Sequence, residues 1–207
     1  MGRPRRMTAW AMAWGLVVAS VLAGVASGQV PSLVANDPAA GGTLAKVQNN
    51  VISLTFDGPI SLPVEAPRVI RPIDPITGAG ADVGGSFTYT VEADGVTLTA
   101  VEDGAVLSNL TWYRISPSAG FDVAPFEVGL STLVGDADGN GQVLPADLSV
   151  IWSHKLQYTD GRVDIDGSGM VLPADLSLAW AHKLQAAPGE PVVMDFVTIN
   201  DPGVPDH

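Results

Sequence analysis

Residues Asp136 to Gln157 return 28 positions later as Asp164 to Gln185, a repetition that limits the fold more than any other part of the chain. Asp136-Ala-Asp-Gly-Asn-Gly-Gln-Val-Leu-Pro-Ala-Asp147 lies over Asp164-Ile-Asp-Gly-Ser-Gly-Met-Val-Leu-Pro-Ala-Asp175. Each copy then continues through Leu-Ser to a Trp and on to His-Lys-Leu-Gln. A segment written twice at this density has to be built twice from one local structure, with the two copies as neighbours.

Each copy opens with a twelve-residue loop that offers oxygen at positions one, three and five. These are Asp136, Asp138 and Asn140 in the first loop, and Asp164, Asp166 and Ser168 in the second. Gly141 and Gly169 at position six allow the sharp turn that brings the backbone carbonyl of Gln142 or Met170 toward the same centre. A carboxylate at position twelve, Asp147 or Asp175, closes the shell, and being Asp rather than the longer Glu it must approach through the geometry of the loop exit. Hard oxygen donors at this spacing select Ca2+, so two calcium ions are expected. The plain alternative is a pair of Asp-Gly turns without metal. Three carboxylates crowded in each loop repel one another, which couples metal uptake to folding. The neutral Asn140 and Ser168 lower the charge of each site and suit an affinity of roughly micromolar to millimolar.

A helix is expected to begin at Pro145 and at Pro173, because proline at the first helical position forfeits no bond the helix needs. Leu148, Ile151 and Leu156, with Leu176, Ala179 and Leu184, fall near helical spacing and are expected to pack together. Trp152 and Trp180 hold equivalent positions, as core residues or as two related aromatic sites on a partner surface.

Residues 30 to 133 read differently, as short alternating runs separated by Gly, Pro and Asn. In the run from Val51 to Asp57, Ile52, Leu54 and Phe56 would face a core while Ser53, Thr55 and Asp57 face water. Ser86 to Val91 and Val96 to Ala100 flank Glu92-Ala93-Asp94-Gly95 as a β-hairpin does. Further strands are expected near Leu33, at Thr111 to Ser116 and at Phe126 to Leu133, giving six or seven in an immunoglobulin-like sandwich. Pro63 to Gly85 reads as a long loop with an edge strand near Arg68 to Ile70. After Gln185 the tail carries a strand-like run, Val192 to Phe196, among prolines.

Arg3, Arg5 and Arg6 precede an apolar run from about Ala9 to Val25 that ends in Ala26-Ser27-Gly28, the pattern of a removable export signal. The run is shorter than a membrane anchor requires, no second one follows, and the expected location is therefore outside the cytoplasm, secreted or at the cell surface. Beyond residue 28, seven Lys and Arg stand against 22 Asp and Glu, a balance of -15 that repels a phosphate backbone and argues against nucleic acid as a partner. The chain has no Cys, so an exported domain of this kind depends on its core and on bound metal.

The histidines are His154, His182 and His207, two of them copies of one repeat position, and no Cys nucleophile or serine elbow accompanies them. Nothing in the spacing of Asp57, Glu65 and Asp74 brings them together as a glycosidase pair. The chain is therefore read as a binding protein and not an enzyme.

The duplicated loop and helix, from about Gly135 to Gln185, resemble a type I dockerin, the calcium-binding module that plugs secreted proteins into cohesin domains on the scaffolds of polysaccharide-degrading complexes. The resemblance implies calcium ligands at Asp136, Asp138, Asn140, Gln142 and Asp147, and at Asp164, Asp166, Ser168, Met170 and Asp175. It implies partner contacts at Pro145-Ala146 and Pro173-Ala174, where the family often has Ser-Thr, and at Trp152-Ser153 and Trp180-Ala181, where it has a basic pair. The stretch from Asn36 to Leu44, leading into the Phe56 strand, is similar to immunoglobulin-like domains of bacterial surface proteins. The expected fold is accordingly mixed and multi-domain: a signal (1–28), an all-β immunoglobulin-like sandwich (29–133), a small all-α, EF-hand-like pair of repeats (134–187) and a tail (188–207). The expected function is that of a secreted adaptor whose repeats dock a cohesin-like protein while the sandwich binds a carbohydrate or a cell surface. The alternatives are a calcium-rigidified protein of the cell envelope and a shortened relative of a larger secreted enzyme.

Overall fold

The computed structural model describes residues 29–72, 80–159 and 161–190. The expected export signal, the middle of the 63–85 loop, Asp74 and the tail run Val192 to Phe196 lie outside the described residues. Nine strands precede the repeats: β1 (Leu33–Asp37), β2 (Thr43–Leu44), β3 (Val51–Phe56), β4 (Arg68–Pro72), β5 (Gly80–Asp82), β6 (Phe87–Val91), β7 (Thr97–Glu102), β8 (Thr111–Ser116) and β9 (Val128–Thr132). They form a four-stranded sheet ordered β1-β3-β7-β6 and a five-stranded sheet ordered β2-β9-β8-β4-β5. All neighbours are antiparallel except β2 and β9.

Alternation builds the core. Ile52, Leu54 and Phe56 of β3 are buried while Ser53 and Thr55 are half-exposed, and Leu98 and Ala100 of β7 lie opposite Leu54 and Ile52. Val69, Tyr113, Ile115, Val128 and Leu130 of the other sheet join them in a single apolar cluster. Phe56 closes one end with its ring edge-on to Phe121 and Phe126, at centroid distances of 5.6 and 5.9 Å. In the β6–β7 hairpin the carboxylate of Asp94 accepts bonds from the Val96 and Thr97 amides and the Thr97 hydroxyl, tying the turn that Gly95 makes at φ +73°.

The segment expected as an edge strand near Arg68 is internal instead. β4 pairs with β8 on one side and with β5 on the other, and the short run Gly80-Ala81-Asp82 supplies the edge. Asp82 holds that edge by accepting the amides of Val69 and Gly84.

Two helices follow, α1 (Pro145–Ser153) and α2 (Pro173–Ala181), each beginning at its proline after an extended residue, Leu144 or Leu172. Each ends after nine residues, and the chain then turns through a left-handed leucine, Leu156 at φ +63° and Leu184 at φ +66°. Leu156 and Leu184 are consequently 69% and 77% exposed. They lie past the helix ends, outside the packed face expected for them, whereas Ile151 and its counterpart Ala179 are buried with Leu148 and Leu176 packed alongside. Past the leucines each copy bridges the other: Leu156 N donates to Val171 O at 2.8 Å and Leu184 N to Val143 O at 2.7 Å, with antiparallel bridges Tyr158–Met170 and Gln142–Ala186.

The expected fold class is therefore corrected. The described chain is mostly β-sheet, with two short helices among the described residues, and its C-terminal part is not an all-α pair. The physical reason lies in the repeat itself: in each copy the metal-type loop and the cross-repeat bridge occupy more chain than the helix, because the left-handed leucine stops α1 and α2 early. Among the described residues no helix is long and apolar enough to cross a membrane.

Candidate metal centre

The first aspartate of each loop organises the backbone around it. Asp136 Oδ1 accepts the amides of Gly139 (2.9 Å) and Asn140 (3.1 Å), and its Oδ2 accepts that of Gly141 (3.0 Å). Asp164 does the same with Ser168 and Gly169, each at 3.0 Å. Gly141 and Gly169 carry φ of +82° and +86°, the left-handed conformation that position six requires. The carboxylates of Asp138 and Asp166 each accept the amide two residues on, that of Asn140 or Ser168.

Position twelve shows how an aspartate serves where a longer side chain is usual. Asp147 Oδ1 accepts the Asp138 amide at 3.0 Å and Oδ2 the Leu144 amide at 2.7 Å; Asp175 bonds Asp166 at 2.9 Å and Leu172 at 2.6 Å. Because each sits in the first turn of its helix, the carboxylate folds back over the loop and pins its two ends together. One ligand atom from each of Asp136, Asp138 and Asp147 lies within 4.8 Å of the others, and the same holds for Asp164, Asp166 and Asp175.

Asp136, Asp147, Asp164 and Asp175 are buried, Asp166 is half-buried and Asp138 is exposed. Loss of water contact raises the Asp138 carboxyl above its ordinary range; the Asn140 amide opposes that rise, and the charges of Asp147 and Asp136 add to it. Burial likewise raises Asp164, against the opposing bond from the Gly169 amide. Three oxygen-bearing acids drawn together and partly desolvated form a donor set that fits a hard divalent cation, since amide bonds alone leave their mutual repulsion unbalanced. The remaining donors are less ready. Asn140 turns its amide nitrogen to Asp138 Oδ2 at 3.0 Å, and the Ser168 hydroxyl donates to Met170 O at 3.2 Å. At position seven Gln142 is exposed and Met170 half-buried, and it is the backbone carbonyl there that could reach a cation.

A raised carboxylate implies a definite pH dependence. Stability contributed by Asp138 and Asp164 is fully present below the unfolded carboxylate pKa, about 3.9, and is lost as pH rises through their raised folded values. Calcium-dependent stabilisation is expected to be largest near neutrality and to shrink on acidification toward about pH 4. Melting curves with calcium and with chelator at each pH measure the difference; a difference that grows on acidification contradicts the assignment.

The expected partner positions lie on the surface. Pro145, Ala146, Pro173 and Ala174 are exposed at the helix starts. Trp152 and Trp180 are 57% and 56% exposed, which decides between core and surface for both. Lys155 Nζ lies 4.2 Å from the Trp152 ring centroid and Lys183 Nζ 3.9 Å from that of Trp180. Both rings border an open apolar trough with Leu148, Ser149 and Leu176. From 144 to 157 and from 172 to 185 the acidic residues are Asp147 and Asp175, both buried, so these two segments of an acidic chain expose lysine and no carboxylate.

Sequence reasoning passed over Thr43 and Arg162. The Thr43 hydroxyl donates to Asp136 Oδ2, and Arg162 spans Thr43 and the Asp136 carbonyl. A signal was present: the position equivalent to Arg162 in the first copy is Val134, a basic-for-apolar break two residues before the first ligand. Comparison with protein-family models finds no match for the chain, and comparison with curated proteins finds none.

Proposed function

We propose that the chain is an exported calcium-binding adaptor in which two ions order the repeat pair and the helix face docks a protein partner, of the cohesin type that the resemblance to type I dockerins implies, in polysaccharide degradation. The observation that carries the reading is the twinned carboxylate set, three acids per loop within 4.8 Å, each wrapped by its own backbone amides. Two exposed tryptophans on helices that expose no carboxylate of their own support a docking role, because large exposed aromatics beside an apolar trough mark protein contact surfaces. Pro145-Ala146 and Pro173-Ala174 add apolar area beside them, so the partner surface is expected to be apolar at its centre with carboxylates opposite Lys155 and Lys183.

Calorimetric titration tests the first half: two calcium ions per chain, with helical circular dichroism rising on uptake. Helix content that ignores chelator counts against coupled folding. The second half is tested by capture of cohesin-type domains with and without calcium. Trp152→Ala and Trp180→Ala are each expected to cost on the order of 2 kcal/mol of partner affinity while leaving helix content unchanged, since both rings are exposed. Undiminished capture by the double variant would move the docking face elsewhere.

A second reading, a calcium-rigidified protein of the cell envelope, is favoured by the hydrogen bonds that tie the repeats to the sandwich through Thr43, Gln48 and Asn49. It predicts calcium-dependent stability with no captured partner.

A further inference from the structure

The segment from Thr43 to Asn49, which leaves β2 for β3, runs across the outside of both loops. Its Thr43 hydroxyl donates to Asp136 Oδ2, and the Ala45 carbonyl accepts the Gly135 amide at 3.0 Å. Farther along, the Val47 amide donates to Ile165 O at 2.8 Å, Gln48 Nε2 to Asp166 O at 2.8 Å and Asn49 Nδ2 to Gly167 O at 3.3 Å. Those three carbonyls belong to positions two, three and four of the second loop. The carboxylates at positions one and three join the acidic cluster, while the carbonyls of positions two, three and four accept bonds from Val47, Gln48 and Asn49. Contact there is close: a Cβ at Gly167, itself at φ +70°, would lie 2.9 Å from Gln48 Cγ.

Arg162 closes the other end of the junction. Its guanidinium donates to Thr43 O, to Thr43 Oγ1 at 2.7 Å and to Asp136 O at 2.7 Å, and lies 3.6 Å from Asp136 Oδ2. Val47 packs on the repeat core beside Ile165. The sandwich therefore holds the first loop through a carboxylate that is also a metal-type ligand, and the second through the loop's own carbonyls.

We infer that calcium latches the repeats onto the sandwich: uptake in the two loops fixes the Asp136 carboxylate and the carbonyls of Ile165, Asp166 and Gly167 in the arrangement that Thr43 to Asn49 grips, with Thr43 and Arg162 as positioning residues for the first site. Without metal, repulsion among the carboxylates loosens both loops, and the same atoms no longer present a fixed surface to the sandwich. The latch rests on the calcium reading above, and its effect is local opening of the junction with the sandwich intact.

Amide exchange in the full chain, followed residue by residue with calcium and with chelator, tests it. The Val47 amide bonds across the junction to Ile165 O, whereas the Asn49 amide, two residues on, bonds to Gly104 O within the sandwich at 2.9 Å. Calcium is expected to slow exchange at Val47 by about tenfold or more and to leave Asn49 unchanged. In Thr43→Val with Arg162→Met, calorimetry is expected to show calcium still taken up by the second loop, with weaker binding at the first and a smaller gain at Val47. Calcium uptake with no change at Val47 overturns the latch and leaves the calcium reading standing. An equal slowing at Asn49 overturns it too, as global stabilisation. A full Val47 gain in the double variant overturns the roles of Thr43 and Arg162. No calcium uptake at all ends both the calcium reading and the latch.

Discussion

Calcium at about a hundred times its dissociation constant is expected to raise the unfolding free energy of the repeat pair by about 2.7 kcal/mol for each site filled. The cause is the donor set: each loop holds two buried carboxylates and a third within 4.8 Å, and a divalent ion converts their repulsion into attraction. Asp136→Asn with Asp164→Asn removes one charge from each loop and keeps shape and one acceptor oxygen, enough for the amides of Gly139, Asn140 and Ser168, while the carboxamide nitrogen replaces the oxygen that accepts the amides of Gly141 and Gly169. That variant is expected to lose most of the calcium-dependent increment and, in chelator, to lie between the parent and the alanine versions, because relieved repulsion offsets the one acceptor lost from each loop. The alanine versions behave differently. They strip every side-chain acceptor from these part-buried amides, so they are destabilised with or without metal. Denaturant titrations of parent, Asn and Ala variants at fixed calcium separate the two effects, and an Asn variant that keeps the full increment refutes metal binding at these residues.

Ile165→Ala is expected to cost about 2–5 kcal/mol, a large share of the few kcal/mol by which a domain of this size is stable. Ile165 is fully buried in the repeat core with Val163, Val171 and Val47 of the sandwich, so no rearrangement of an exposed side chain fills the space left behind. Its carbonyl also carries the Val47 amide. The variant is expected to unfold at lower denaturant in chelator, to need more calcium for half-saturation, and to regain helical signal once calcium is in excess. The equivalent position in the first loop is already Ala137, so the two copies, alike in ligands, differ in what fills the core beneath them. An unfolding midpoint unchanged by Ile165→Ala would mean that the repeat core contributes little.

Much of the strand layout was legible because alternation is local. The burial of Ile52, Leu54 and Phe56, the β6–β7 hairpin and the limits of β8 follow from period-two patterning and turn residues. The convergence of Asp136, Asp138 and Asp147 was legible for the same reason, since all three lie within twelve residues of chain. β2 and β5 were not. Two and three residues are too few to show a period, and each is a strand by virtue of its neighbour, β9 or β4. The exposure of Leu156 and Leu184 was misjudged because helical spacing was carried past the point where the backbone turns left-handed. The expected all-α character of the repeats failed on the same point: periodicity marks where α1 and α2 run, but each is followed by a left-handed leucine whose amide bonds to the other copy instead of continuing the helix.

The amino-acid order by itself determined the two loops, the residues that line them, the prolines that start the helices and the alternating faces of the longer strands, all of which depend on neighbours a few residues apart. Tertiary structure alone decided which sheet edge meets the repeats, that Thr43 and Arg162 share Asp136, and that Trp152 and Trp180 stay in solvent. Such contacts join residues up to 119 positions apart, and hydrogen bonding across that separation depends on how two folded surfaces fit, which no local pattern encodes.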